Sequence, residues 1–407
     1  MKILQVNNHY ESLGGSESVF HDTTKLLKSN GHDVYYFSST QTENYGKNDN
    51  GYLISKSSFT STNNIFEIFH NIKNFIYSTK VKKLFENYIK LIKPDIVHLH
   101  IFYGIISNSI LPILKKYNIP VVMTLHEYRM ICPTYLLING KGEQCQKCGG
   151  RNFFYAIKYK CNKNNYLYSA LSALESYVKN KVTPYEDYID YFIMVSDFSR
   201  NMHLKYLPYL KSKSTVIYNF YDRNSIIMSE QTSINFIYFG RLSPEKGIET
   251  LLKAFKAIPN AKLTIAGDGP LLDRVLKCSK KYKNINYIGF KNKKELMGIL
   301  SSAKFTVVPS ICYENNPLSI VESFSNSVPV IGSDFGGITE LINENIEGYL
   351  FKMGDSNSLK VAIRKAINIH PESYEKMKSN CLKFAQTNFG SKYHYRRLMS
   401  VYNKVLN

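Results

Sequence analysis

Short apolar runs rich in Val, Ile and Phe alternate along the chain with longer stretches in which apolar residues recur every three or four positions. The runs read as buried strands and the stretches as amphipathic helices packed on them. In the first half, strands are expected at 2–6, 33–39, 95–100, 120–124 and 191–195, with 215–219 closing it. In the second they are expected at 235–239, 262–266, 285–288, 305–308 and 329–332. Such strand–helix periodicity predicts an α/β protein whose parallel sheets are covered on both faces. A polar stretch at 41–64 and a polar linker at 223–233 break the pattern. At 407 residues there is room for two cores. The expected organisation is a first domain over 1–225, a second over 226–390, and a final helix at 391–407.

The strand exits carry the chemistry. After 305–308 the chain reads Pro309-Ser310-Ile311-Cys312-Tyr313-Glu314-Asn315-Asn316-Pro317-Leu318-Ser319-Ile320-Val321-Glu322. Asn316 reads as a helix N-cap and Pro317 as the first helical residue. The N–H groups of Leu318 and Ser319 would then point out of the helix mouth, a ready site for phosphate. Glu314 lies before this helix and Glu322 more than a turn inside it. After 235–239 comes Gly240-Arg241-Leu242-Ser243-Pro244-Glu245-Lys246-Gly247, where Arg241 offers a fork and Lys246 a mobile charge for phosphate oxygens. After 2–6, Gly14-Gly15 opens a helix running to Gly31, and without side chains there a substrate can lie against the backbone at Gly15. The full dinucleotide fingerprint is missing, which argues against an NAD enzyme. The strand at 120–124 delivers His126 to its tip, and Asp334-Phe335-Gly336-Gly337 leaves another strand.

Four cysteines fall into a C-x12-C-x2-C-x12-C pattern: Cys132, Cys145, Cys148 and Cys161, within a Cys-rich insertion at about 129–165. Four thiols with a central C-x-x-C suit a structural tetrahedral zinc site, and no open ligand position suggests a catalytic metal. A redox pair or unconnected buried thiols are the alternatives.

Composition changes the picture in one respect. Against 32 acidic residues stand 52 Lys and Arg, a formal net charge of +20. That field favours anionic partners: phosphorylated sugars, nucleic acid or an anionic membrane face. No clustered nucleic-acid recognition motif accompanies it, so no nucleic-acid partner is expected. The stripe Phe66, Phe69, Ile72, Phe75 and Ile76 among basic residues is a core-facing side, or a peripheral contact with an anionic membrane. The amino end lacks a signal-peptide pattern and no apolar run is long enough to span a bilayer, so a cytoplasmic location, with reach to the inner membrane face, is expected.

Taken together, the stretch from Phe305 to Ile331 resembles the E-x7-E signature of retaining glycosyltransferases of family 4. The Gly240–Gly247 turn resembles that family's diphosphate clamp. The match extends over nearly the whole chain. Glu127 after His126 departs from the Asp usual in the family, and Tyr218 and Phe220 depart from its Pro and Gly. The resemblance implies a GT-B architecture: two Rossmann-like, doubly wound domains facing a cleft. It implies transfer of a sugar from a nucleotide-sugar donor, such as a UDP- or GDP-sugar, to a hydroxyl of a glycan or lipid-linked glycan, with retention of anomeric configuration. Surface polysaccharide synthesis is the expected setting. Arg241, Lys246, Leu318 and Ser319 would hold the diphosphate and Glu322 the ribose, with Gly15, Asn316 and Pro317 beside the donor. Glu314 and His126 would act at the sugar, and cationic side chains would replace a catalytic metal. A nucleotide-sugar epimerase or hydrolase on the same fold, or a basic nucleic-acid-binding protein, is the alternative.

Overall fold

The computed structural model describes residues 1–11, 14–40, 46–48, 50–55, 65–221 and 234–407. The linker expected at 223–233, and with it the domain boundary at 225/226, lies outside the described residues, as does most of the polar stretch at 41–64. The chain divides into two compact units. The first comprises Met1–Val195, Ser199–Ile217 and Tyr395–Asn407; the second comprises Ser196–Phe198 and Tyr218–His394.

The first unit is built on an eight-stranded sheet. Its strands are β1 (Lys2–His9), β2 (Asp33–Thr40), β3 (Gly46–Asn48), β4 (Gly51–Ser55), β5 (Ile96–Leu99), β6 (Val121–Leu125), β7 (Tyr191–Met194) and β8 (Ser214–Val216). They lie in the order β3-β4-β2-β1-β5-β6-β7-β8, parallel except for β3 against β4. The short pair β3 and β4 falls inside the stretch that reads as polar. Helix Gly15–Ser29 follows β1 and stops at Asn30, with Gly31 in the left-handed region (φ 81°) returning its N–H to Lys28. Only glycine takes that turn without strain. One core cluster joins Ile3, Ile96, Val122 and Ile193 to Leu398, Val401 and Tyr402, so the carboxyl half of helix Ser391–Leu406 completes the core of this unit. Helix Ile65–Ile76 forms where the aromatic stripe was expected, with Ile72, Phe75 and Ile76 half-buried; the side chains of Phe66 and Phe69 lie outside the described ones.

The second unit holds a six-stranded parallel sheet of β9 (Ile234–Phe239), β10 (Leu263–Ala266), β11 (Ile285–Tyr287), β12 (Ala303–Val308), β13 (Val330–Ser333) and β14 (Gly348–Phe351), in the order β11-β10-β9-β12-β13-β14. The central strands are buried runs, as a sheet covered on both faces requires. In both units the chain order reverses beside the first strand: between β1 and β5 in one, between β9 and β12 in the other. Ligands of doubly wound sheets bind at the strand carboxyl ends at such a reversal. Among the described residues, no helix is long and apolar enough to cross a membrane.

Candidate active site

In the second unit the reversal brings the exits of β9 and β12 together. The β9 exit runs through Gly240 and Arg241 into the turn Pro244–Lys246, and the β12 exit runs through Pro309 to Pro317 into helix Leu318–Ser325. The two loops touch through backbone. Ile311 N–H donates to the Glu245 carbonyl at 2.9 Å. Gly247 (φ 73°) lies so close to the Pro309 carbonyl that a Cβ would sit 1.8 Å from its oxygen. Gly337, from the β13 exit, presses on the same loop from the other side. Its N–H donates to the Glu314 carbonyl at 2.7 Å, and a Cβ there would lie 1.9 Å from the Asn315 oxygen.

This junction fixes Glu314. Its Oε1 accepts from Lys246 Nζ and from Ser310 Oγ, each at 2.6 Å, with the carboxyl side chain 11% exposed and the lysine 33%. Burial pushes the Glu314 carboxyl up, but the Lys246 charge and the two hydrogen bonds outweigh it and hold it below its ordinary value. Lys246 mirrors this: burial lowers it, and the carboxylate raises it above its usual value. A charged pair therefore stands at the strand tips, with Lys246 keeping donors for a further anion. Arg241 is exposed close by, its carbonyl fixed by the Tyr238 hydroxyl at 2.7 Å.

One expectation is corrected here. Asn316 is not the N-cap, and Pro317 is not the first helical residue. Pro317 itself is the N-cap, with extended backbone (ψ 123°), and the helix begins at Leu318. Asn316 is engaged elsewhere: its Oδ1 accepts from the Asn219 N–H at 3.0 Å and its carbonyl from Asn219 Nδ2 at 2.9 Å. The helix mouth survives the shift. Ile320 and Val321 turn their N–H groups back to Pro317, while those of Leu318 and Ser319 have no backbone partner within the helix. Glu322 is half-buried inside the helix.

In the first unit, His126 lies just past β6 and belongs to a row of stacked imidazoles. His98 and His100 stack at 4.4 Å, and His100 and His126 at 5.3 Å. Hydrogen bonding fixes the protons along this row. Thr24 gives its hydroxyl proton to the Phe20 carbonyl and must accept from Gln5 Nε2, so Gln5 Oε1 faces His100 Nε2 at 3.0 Å. His100 therefore carries its proton on Nε2, and its bare Nδ1 accepts from His126 Nε2–H at 2.9 Å. His126 is then a neutral imidazole with Nδ1 unprotonated; burial pushes its pKa down to about 4. Its neighbour Glu127 is pushed up to about 7 by burial, partly opposed by Arg129. Arg129 anchors the segment through a buried ion pair with Glu175 at 3.0 Å, and Lys179 Nζ donates to its carbonyl. Gly15, at the start of helix Gly15–Ser29, is exposed.

Gln5 and His100 escaped the sequence reading, and Ser310 was read only as part of the Pro309-Ser310 strand exit. His98 on β5 and His100 one residue past its end are two apart, hence on one face of the extended chain, and that spacing was the available signal.

The four cysteines line one cavity of about 10 Å³ between β6 and helix Tyr166–Val182. Burial pushes Cys148 up to about 12 and Cys161 up to about 11, so neither is a reactive thiolate at neutral pH. Among the described residues, no three His, Cys, Asp or Glu side chains are arranged as they stand to hold a metal ion.

Residues 13–225 match the family model Glycosyltransferase Family 4, and residues 225–384 match Glycosyl transferases group 1. An uncharacterised glycosyltransferase of Methanocaldococcus jannaschii is 25% identical over 378 residues, covering 90% of this chain and 89% of its own. An uncharacterised protein of the cps region of Klebsiella pneumoniae is 25% identical over 354 residues, covering 84% of this chain and 87% of its own. Among solved structures, HepE of Anabaena in complex with UDP and glucose is similar at a TM-score of 0.69 and 16% identity, covering 99% of this chain and 100% of its own. Sucrose-phosphate synthase from Thermosynechococcus elongatus is similar at a TM-score of 0.71 and 17% identity, covering 99% of this chain and 98% of its own. The first family match spans more than half of the chain, and the chain belongs to Glycosyltransferase Family 4, the glycosyltransferases of GT-B fold.

Proposed function

We propose that the protein transfers a sugar from a nucleotide-diphosphate-sugar donor to an acceptor hydroxyl with retention of anomeric configuration. The observation that carries this reading is the Lys246–Glu314 pair at the sheet reversal of the second unit, beside Arg241 and the mouth of helix Leu318–Ser325. The bond between C1 and the diphosphate oxygen breaks and leaves its electron pair on that oxygen. The acceptor oxygen bonds to C1 on the same face, and its proton passes to the departing diphosphate. Negative charge therefore builds on the leaving group. Arg241, Lys246 and the N–H groups of Leu318 and Ser319 meet that charge, which is where stabilisation accelerates the reaction. Glu322 accepts from the ribose hydroxyls. Glu314 orients the sugar while holding Lys246. His126, held as a neutral imidazole, acts at the sugar. No catalytic metal has a part in this scheme.

The donor class is supported by the similarity to HepE, whose structures contain UDP, UDP-glucose, or UDP with glucose. The cps-region relative supports a glycan or lipid-linked glycan acceptor in surface polysaccharide synthesis, and the net charge of +20 suits work at an anionic inner membrane face. The test is nucleotide release from a panel of UDP- and GDP-sugars with and without glycan acceptors, and NMR of the product anomer. Acceptor-dependent release with the donor's anomeric configuration kept is expected. Release that ignores acceptor points to a hydrolase, a converted but intact donor to an epimerase, and an inverted product overturns retention.

A further inference from the structure

We propose that Cys132, Cys145, Cys148 and Cys161 form a structural zinc site that holds together the segment between β6 and helix Tyr166–Val182. These four of the chain's seven cysteines come from three stretches of the segment and nonetheless line a single cavity, of about 10 Å³, with Leu137 and Tyr155 among its walls. That is room for one water-sized sphere. Each cysteine is held by backbone at a bend. Cys132 N–H donates to the Tyr128 carbonyl, Cys145 to Leu137, and Cys161 to Ala156, while the Cys148 carbonyl accepts from Arg151 and Asn152. Directly after the C-x-x-C pair, Gly149 and Gly150 take left-handed backbone (φ 50° and 72°) and turn the chain back.

The segment needs a staple. Its backbone is in the left-handed region at five residues other than glycine, namely Tyr135, Leu137, Lys160, Lys163 and Asn164. Each such residue costs about 1 kcal/mol or more. Against this stands a small core of its own, with Cys148, Phe153, Ala156 and Ala173 as its buried members. Cores of that size ordinarily rely on a disulfide or a metal.

Zinc suits the donors. Four thiols surrender four protons and bind the ion tetrahedrally, with S–Zn distances of about 2.3 Å. As the thiols stand they are not grouped for a metal ion, so binding requires the cysteine side chains to turn inward over the cavity they line. A site of four thiolates carries a net double negative charge, which the neighbouring Lys147, Arg151 and Lys158, all exposed, offset. With all four positions filled by protein there is no vacancy for substrate. The ion folds the segment that follows His126 and takes no step in sugar transfer.

The test is independent of activity. Protein purified without chelator or metal-affinity tag is analysed for metals and titrated with a mercurial thiol reagent. About one zinc per chain is expected, released together with four thiols. Cys145→Ser and Cys148→Ser lose the zinc, whereas Cys278→Ser keeps it. Stripping the metal lowers the melting temperature of the wild-type chain, and added zinc restores it. Protein that stays metal-free after incubation with zinc, iron in its place, or a mass showing these cysteines paired as disulfides would overturn the proposal.

Discussion

Glu314 and Lys246 show how a single contact sets two properties. The carboxylate keeps the lysine charged, and the lysine keeps a buried carboxylate ionised. Removing either partner has different consequences. Lys246→Ala takes away the charge proposed to meet the leaving diphosphate and strands a buried carboxylate, so kcat should fall by about 10²-fold or more and stability should fall with it. Glu314→Gln replaces a charged competitor for the protons of Lys246 with a weaker, neutral amide oxygen. Nucleotide diphosphate should then bind more tightly while kcat drops. Calorimetric titration against steady-state turnover separates the two, and weaker nucleotide binding in Glu314→Gln would contradict the shared-lysine picture. The histidine row makes a second residue-scale prediction. Long-range proton–nitrogen NMR should find His126 protonated on Nε2 and bare on Nδ1 at pH 7, remaining neutral down to about pH 5 because its pKa is pushed to about 4. In Gln5→Leu, which deprives His100 Nε2 of its acceptor, both tautomers of His126 should appear.

At the scale of elements, the site is a meeting of three loops that exclude side chains from one another. Gly247→Ala places a methyl against the Pro309 carbonyl and forces a left-handed backbone on alanine. A loss of about 2–4 kcal/mol in chemical denaturation is expected, together with weaker nucleotide binding, because the strand-tip loops must part. Unchanged binding and stability would show the junction to be pliable. The sequence made much of this level legible, for a physical reason. Strands buried on both faces are written as unbroken apolar runs, so β9, β10 and β12 stand out. Strand β14 opens on a glycine, and β3 and β4 lie at the sheet edge within polar sequence, so all three escaped. The cap of helix Leu318–Ser325 failed differently. Local sequence makes Asn316 a good N-cap, but Asn219, 97 positions away, claims its amide, and no local rule sees that partner. Lys246 and Glu314 were each legible as strand-tip charges, yet their mutual contact needed the β9–β12 pairing.

For the whole molecule, the feature with the widest reach is a set of imidazoles held neutral. His126 and His203 in the first unit and His394 in the second are each pushed from 6.5 down to about 4 by burial. His203 donates from Nδ1 to the Ser199 carbonyl and His394 from Nδ1 to the Tyr218 carbonyl, bonds that a neutral imidazole makes. The unfolded chain takes up these protons near pH 6.5 and the folded chain only near pH 4. Between those values the unfolded state binds more protons, and stability falls as the pH falls, by up to about 1.4 kcal/mol per pH unit for each histidine. Glu127 works in the opposite sense. Its folded pKa is raised to about 7, so the folded first unit gains a proton in the same window and offsets one of its two histidines. Each unit is left with a net uptake of about one proton on unfolding, from the shifts of these four groups. Scanning calorimetry from pH 7 to pH 4.5 should therefore show both transitions moving to lower temperature. His394→Gln should flatten that slope for the second unit alone, and Glu127→Gln should steepen it for the first. Transitions that hold their temperature down to pH 4.5 would mean that these imidazoles take up their protons in the folded protein as readily as in the unfolded chain.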